Sequence, residues 1–230
     1  MIEMQILVVK VVRMAEIISI EKAVNLVEDG MTVMIGGFLG VGAPENLIAA
    51  LIEKDVKSLT IITNDTAFPN KGAGKLIVNK QARKVIASHI GTNPEAGRQM
   101  NSNELEVTLI PQGTLAEQIR CAGSGLGGIL TPTGIGTEVE KGKQILLVEN
   151  QEYLLETPIR ADVALIRGSI VDKAGNVFYN YSTRNFNPLM AAAADLVIVG
   201  AEKIVETGDL DPNMVMTPGI FVDYIVGGEK

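Results

Sequence analysis

Residues 33–51 read VMIGGFLGVGAPENLIAAL. Three apolar residues, Val33, Met34 and Ile35, run into the glycines Gly36, Gly37, Gly40 and Gly42, and then into Pro44 and an apolar-periodic stretch. A continuous apolar run is how a strand covered on both faces reads. Proline is tolerated at the start of a helix because its missing N–H has no helical partner there. The stretch therefore predicts a buried strand, a glycine turn and a helix over 44–54. In open parallel sheets ligands sit beyond the carboxyl ends of the strands. Glycines let the backbone approach a ligand closely, and successive N–H groups can surround an anion. The plainer reading is a tight strand-to-helix connection with close packing.

The same alternation runs along the chain. Apolar, β-branched runs predict strands over 32–36, 59–64, 84–88, 106–110, 145–148, 163–167 and 196–201. Helical spacing predicts helices over 20–28, 44–54, 93–100, 114–122 and 188–194, the first with Ser19 as its cap. Segments 65–74, 123–136 and 205–218 read as loops. Ala174–Gly175–Asn176 predicts the turn of a hairpin. Strands alternating with helices imply an α/β fold: an open, mainly parallel sheet with helices on both faces, in a single domain. Neither a repeat nor a linker divides the chain.

Composition narrows the function classes. The chain has 230 residues, a net charge of −7 and no basic run, which argues against a nucleic-acid partner. One cysteine, Cys121, excludes an internal disulfide and fits a reducing, cytoplasmic setting. No apolar stretch reaches the roughly 18 residues of a membrane span. Residues 1–13 carry an apolar run, 6–12, broken by Lys10 and without signal-peptide flanks. They are expected to be an extension of uncertain status, a short β-prone segment that reads as an edge strand or an aggregation hazard, with the domain over 14–230.

Two phosphate-binding motifs fail on spacing. The dinucleotide fingerprint needs glycines at i, i+2 and i+5, and Glu45 and Leu39 stand where it would need glycine. Gly72–Ala73–Gly74–Lys75 is followed by Leu76 and not by the hydroxyl residue of a P-loop.

Residues 29–44, DGMTVMIGGFLGVGAP, resemble the first signature of the family I (3-oxoacid) coenzyme A transferases. That pattern is Asp-Gly, two residues, three apolar residues, Gly-Gly-Phe, three residues, Gly, any residue, Pro. Asp29, Gly30, Gly36, Gly37, Phe38, Gly42 and Pro44 occupy its fixed positions. The resemblance runs over 14–230 and takes in ITNDTAF, KVIASHIGTNPEAGRQM, PQGTLAEQIRCAGSGLGG and RNFNPL. Leu39 and the stretch 64–68 are similar to the α subunits of the acetate and butyrate–acetoacetate branch.

The resemblance implies CoA transfer between a short-chain acyl-CoA and a free carboxylate. It implies a CoA thioester as substrate with no tightly bound cofactor. In the family a glutamate attacks the thioester to give a mixed anhydride, and a glutamyl-CoA thioester follows. That glutamate lies in a Ser-Glu-Asn-Gly motif of the β half, which this sequence lacks. Glu45–Asn46 belongs to the glycine signature, and Glu149–Asn150 reads as a hairpin turn between 145–148 and 153–155. The resemblance therefore implies a β-subunit partner, usually as two α with two β.

On this chain the resemblance implies Gln112 as an oxyanion-hole donor. It implies Gly36, Gly37, Phe38, Leu39, Gly40, Val41 and Gly42 as the CoA-contacting or active-site-wall segment. Asn64 ends a strand on the same side and is a candidate for the carboxylate pocket. His89, the single histidine, is expected to order its loop, and Cys121 to be a small buried residue. The sequence offers no ligand spacing for a metal. The alternative is a CoA-binding or sugar-phosphate-binding protein of the same fold without transferase activity. The sugar-phosphate reading wants a basic clamp, which the glycine stretch lacks.

Overall fold

A computed structural model describes residues 14–227. The expectations for residues 1–13 lie outside the described residues. The elements in chain order are β1 (Glu16–Ile18), α1 (Ile20–Asn25), β2 (Thr32–Ile35), α2 (Glu45–Lys54), β3 (Leu59–Ile62), α3 (Gly74–Val78) and β4 (Ala82–Ala87). They continue with α4 (Pro94–Asn101), β5 (Glu106–Leu109), α5 (Gln112–Gly123), β6 (Ile129–Thr131), β7 (Ile145–Val148), β8 (Gln151–Glu156) and β9 (Ala161–Gly168). The last are β10 (Ile170–Asp172), β11 (Val177–Phe178), α6 (Asn187–Ala192), β12 (Ala194–Ala201), β13 (Ile204–Val205) and β14 (Tyr224–Val226).

Eight strands form one sheet in the order β1-β14-β12-β9-β2-β3-β4-β5. Every ladder in it is parallel. From β2 the chain winds outward through β3 and β4 to β5; from β9 it winds the other way through β12 to β14. The order reverses between β2 and β9, so the crevice beyond their carboxyl ends is the topological switch point.

Alternation along each central strand divides the apolar side chains between two cores. Val33, Ile35, Leu59, Ile61, Val163 and Leu165 face one side with α1 to α4. Met34, Ile62, Ala164 and Ile166 face the other with α5 and α6. Strands flanked this way need no polar face, which explains the unbroken apolar runs. Burying each Leu or Ile here contributes about 1.5–3 kcal/mol.

The helix ends show why these residues form these helices. Ser19 Oγ accepts from Lys22 N at 3.3 Å at the start of α1. Lys54, in the last turn of α2, donates to the carbonyls of Val24 and Val27 at 3.1 and 2.5 Å, capping groups left open where α1 ends. Asn93 caps α4 through Glu95 N, with Pro94 as its first residue.

Three features differ from the sequence expectations. β7 and β8 leave the main sheet and form a small antiparallel sheet with β6, in which β8 lies between β6 and β7. Strand 145–148 was expected from its apolar residues, but residence in a separate sheet is a matter of where the chain returns. The loop 65–74 gives way at Gly74 to α3, and the loop 123–136 contains β6. The two shortest strands of the parallel sheet, β1 and β14, were not anticipated; they pair with each other across most of the chain length.

Candidate active site

The first component of the site is the glycine turn that follows β2. Phe38 and Val41 exchange backbone hydrogen bonds of 3.0 and 2.9 Å, closing a two-residue hairpin over Leu39 and Gly40. Leu39 (φ 49°) and Gly40 (φ 79°) both have positive φ, as a type I′ turn requires. Glycine takes that conformation without strain, whereas for leucine it costs about 1–2 kcal/mol. Asp65 holds Leu39 there: both carboxylate oxygens accept from Leu39 N, at 3.2 and 3.0 Å.

The segment between β11 and the start of α6 grips the same turn. Asn185 Oδ1 accepts from Gly37 N at 3.1 Å, and its Nδ2 donates to Val41 O at 2.9 Å. Asn187, fully buried, donates to Gly42 O at 3.0 Å and accepts from Arg167 N at 3.1 Å. A Cβ on Gly36 would lie 1.8 Å from Asn187 Oδ1, so this position admits no side chain while Asn187 makes those bonds. The RNFN stretch therefore holds the glycine turn at the switch point.

The glycine turn is thus a closed, internally bonded piece. The N–H groups of Gly36, Gly37, Phe38, Leu39 and Val41 all donate to protein acceptors. The seam between Gly36, Gly40, Asp65 and Gly72 has no room for a water-sized molecule. What the turn presents outward is apolar: Phe38 is 42 % exposed and Val41 48 %.

The second component joins the ends of β3 and β5. Asn64 is 1 % exposed and Asp65 4 %. Asn64 Nδ2 donates to Asp65 Oδ2 at 2.5 Å, and Gln112 Nε2 donates to Asn64 Oδ1 at 2.8 Å. Ala67 N adds a 2.7 Å bond to Asp65 Oδ1. Gln112 opens α5, is solvent-exposed, and keeps its second Nε2 hydrogen without a partner among the described residues. Beside it, Gly113, Thr114 and Glu117 of α5 and Ile129, Leu130 and Thr131 of β6 line an open cleft of about 520 Å³.

The residues singled out in the sequence therefore lie at the carboxyl ends of β2, β3 and β5. Asn64 lies beneath Gln112, with each end of its amide engaged by a neighbour. Sequence reasoning missed Asp65, Asn185 and Asn187. Asp65 left a signal, as the one charge in the otherwise uncharged run 58–70 at the end of a buried strand. The two asparagines show in the sequence only within the RNFNPL stretch and without a role, because they act on a turn more than 140 residues earlier.

The remaining candidates stand apart. His89 is exposed; its backbone carbonyl accepts from Thr66 N at 3.1 Å, and its ring makes no hydrogen bond among the described residues. Cys121 is buried in α5. Glu149 and Asn150, both at positive φ, form the tip of the β7–β8 hairpin. Among the described residues no group of three or more His, Cys, Asp or Glu is placed to hold a metal ion, and no helix is long and apolar enough to cross a membrane.

Residues 17–228 match the family model described as Coenzyme A transferase. The chain belongs to the coenzyme A transferase family. It is 56% identical over 215 residues to the acetate CoA-transferase subunit alpha of Escherichia coli K12, covering 94% of this chain and 98% of that one. It is likewise 56% identical over 212 residues to the acetoacetyl-CoA:acetate/butyrate CoA transferase alpha subunit of Clostridium acetobutylicum, covering 92% and 97%. The fold matches that of an acyl-CoA transferase from E. coli O157:H7 solved as a thioester complex with CoA, with a TM-score of 0.79 and 24% identity. That alignment covers 93% of this chain but 50% of the other, so this chain spans about half of that solved protein.

Proposed function

We propose that this protein is the α subunit of a heteromeric CoA-transferase that moves CoA between a short-chain acyl-CoA and a free short-chain carboxylate. Acetyl-, butyryl- and acetoacetyl-CoA are the donors this reading names. The observation that carries it is the exposed Gln112 amide, braced from below by Asn64 and bordered by an open cleft. Such a donor stabilises charge on a thioester oxygen during attack without taking up a proton. Removing one comparable donor typically costs about 2.7–4 kcal/mol of transition-state stabilisation.

The nucleophile in this reading is a glutamate of the β subunit. Its carboxylate attacks the thioester carbonyl, the CoA thiolate leaves, and the products are a mixed anhydride and free thiolate. The thiolate then attacks the glutamyl carbonyl, releasing the first carboxylate and leaving a glutamyl-CoA thioester. The incoming carboxylate reverses these steps. Asp65, the carboxylate nearest Gln112 along the relay, is a poor alternative, since both its oxygens are engaged and it is buried.

The turn 36–42 supports a contact of a particular kind. Its N–H groups are largely committed to the protein, so CoA or the partner's glutamate loop would meet the apolar Phe38 and Val41. An α2β2 assembly in the cytoplasm, with the CoA thioester as a substrate, completes the reading.

The test is CoA transfer from acetoacetyl-CoA to acetate, with this chain alone and with a co-expressed β subunit. Activity in the pair only, and its loss with Gln112→Ala, is the expected result. Activity of the isolated chain would refute the placement of the nucleophile. CoA binding with no transfer in the pair would favour a binding protein of the same fold.

A further inference from the structure

We propose that Asp65 is a positioning residue that sets the direction of the Asn64–Gln112 hydrogen-bond relay, and with it the face that Gln112 turns to substrate. This inference rests on Gln112 acting as an oxyanion donor.

The argument is one of donor and acceptor identity. An ionised carboxylate can only accept hydrogen bonds, whereas an amide side chain can be turned either way. Asp65 therefore admits only the NH₂ end of Asn64, at 2.5 Å. The Asn64 carbonyl is then forced toward Gln112. A carbonyl admits only a donor, so Gln112 must approach with its own NH₂ end, at 2.8 Å. One Nε2 hydrogen is used and the second is delivered at a defined place. Neither Asn64 nor Gln112 could select that arrangement by itself, because two facing amides pair equally well with both reversed.

The carboxylate is itself well fixed. Its oxygens accept from Leu39 N at 3.2 and 3.0 Å and from Ala67 N at 2.7 Å, and it is 4 % exposed. Leu39 and Ala67 both stand at positive φ, 49° and 48°, which aims their N–H groups inward at the same acid. Asp65 thus ties the glycine turn after β2 to the Gln112 edge after β5.

Asp65→Asn is nearly isosteric and removes the constraint. Its carbonyl can still accept from Leu39 and Ala67 while its NH₂ faces Asn64, and the relay then runs in reverse. Gln112 would meet Asn64 through its carbonyl oxygen, with its NH₂ displaced from the substrate side.

The experiment is steady-state kinetics of the co-expressed α/β complex, with acetoacetyl-CoA and acetate, for Asp65→Asn, Gln112→Ala and the double variant, each checked for assembly. We expect Asp65→Asn to lower kcat about 10- to 100-fold with KM changed less than about threefold. In the Gln112→Ala background the same change should cost less than about twofold, because the group it positions is gone. An undiminished effect in that background, or a wild-type kcat for Asp65→Asn, overturns the inference while leaving the oxyanion role intact. A wild-type kcat for Gln112→Ala overturns that role and this inference with it. Should Asp65→Asn not assemble, Asn64→Ser breaks the relay one link later, spares the Leu39 and Ala67 bonds, and carries the same cycle.

Discussion

The amide of Gln112 donates to the side-chain carbonyl of Asn64 at 2.8 Å across 48 residues of chain. One partner is exposed and the other is buried. Truncating them should have different consequences. Gln112→Ala should lower kcat of the α/β complex about 10²- to 10³-fold and leave the melting temperature nearly unchanged. Asn64→Ala should lower kcat and also destabilise the chain by about 1–3 kcal/mol, since Asp65 loses a buried donor. Thermal melting alongside kinetics separates the two. A Gln112→Ala chain that melts well below wild type would show the glutamine to be structural.

Gly36→Ala tests the switch point. The new methyl would meet Asn187 Oδ1, and Asn187 cannot retreat without giving up its bonds to Gly42, Thr183 and Arg167. The expected loss is about 1–3 kcal/mol, as for other overpacked sites, read from urea unfolding. Asn187→Ala with Gly36→Ala should recover part of it, because the obstruction is removed. Independent, additive losses would mean the two residues do not compete for the same space.

The i,i+3 ion pair of Glu95 and Arg98 on α4 predicts an acid titration. The Arg98 guanidinium and then the Gln99 amide hold the Glu95 carboxyl down from 4.5 to about 2. Glu104, bonded to Arg98, Lys80 and Ser102, is lowered as well. Both folded values lie below the unfolded one, so the unfolded chain binds more protons and stability declines as pH falls. The contribution is complete above about pH 4.5 and is lost through about pH 2. Carboxyl NMR titration should find Glu95 near its usual value in Arg98→Ala. A wild-type Glu95 titrating at its ordinary value would show the ion pair unmade in solution.

Glu156 should be the most sensitive acid of the small sheet. It is 3 % exposed and is held by Lys143 at 2.5 Å and Gln118 at 3.1 Å. Lys143→Ala leaves the carboxylate with one neutral donor, and a cost of about 2–4 kcal/mol follows, somewhat below that of a fully buried pair. Replacing both as Lys143→Met with Glu156→Gln should restore much of the loss. Chemical denaturation measures both, and equal stability of Lys143→Ala and wild type would count against the pair.

Much of this architecture is legible in one dimension. The strands 32–36, 59–64 and 163–167 show as apolar runs because each is covered on both faces, which leaves no polar alternation to blur them. The β7–β8 turn shows because Glu149 and Asn150 sit between the runs 145–148 and 153–155. Gln112 shows through its place after a strand and its family resemblance. β1, β14 and β13 do not show, since strands of two or three residues carry too little pattern and exist only through pairing partners far along the chain.

By itself, then, the sequence determined the layered α/β class, the glycine turn at the end of β2, the family and the expectation of a second subunit. These follow from local periodicity and from contiguous motifs, which a chain carries whether or not it is folded. Only the tertiary structure decided that the turn is closed upon itself, that Asn185 and Asn187 clamp it from beyond β9, and that Asp65 joins it to Asn64 and Gln112. Hydrogen-bond direction is the physical reason. Whether an amide presents its N–H or its carbonyl depends on which group faces it, and here the facing groups come from strands brought together only by the sheet.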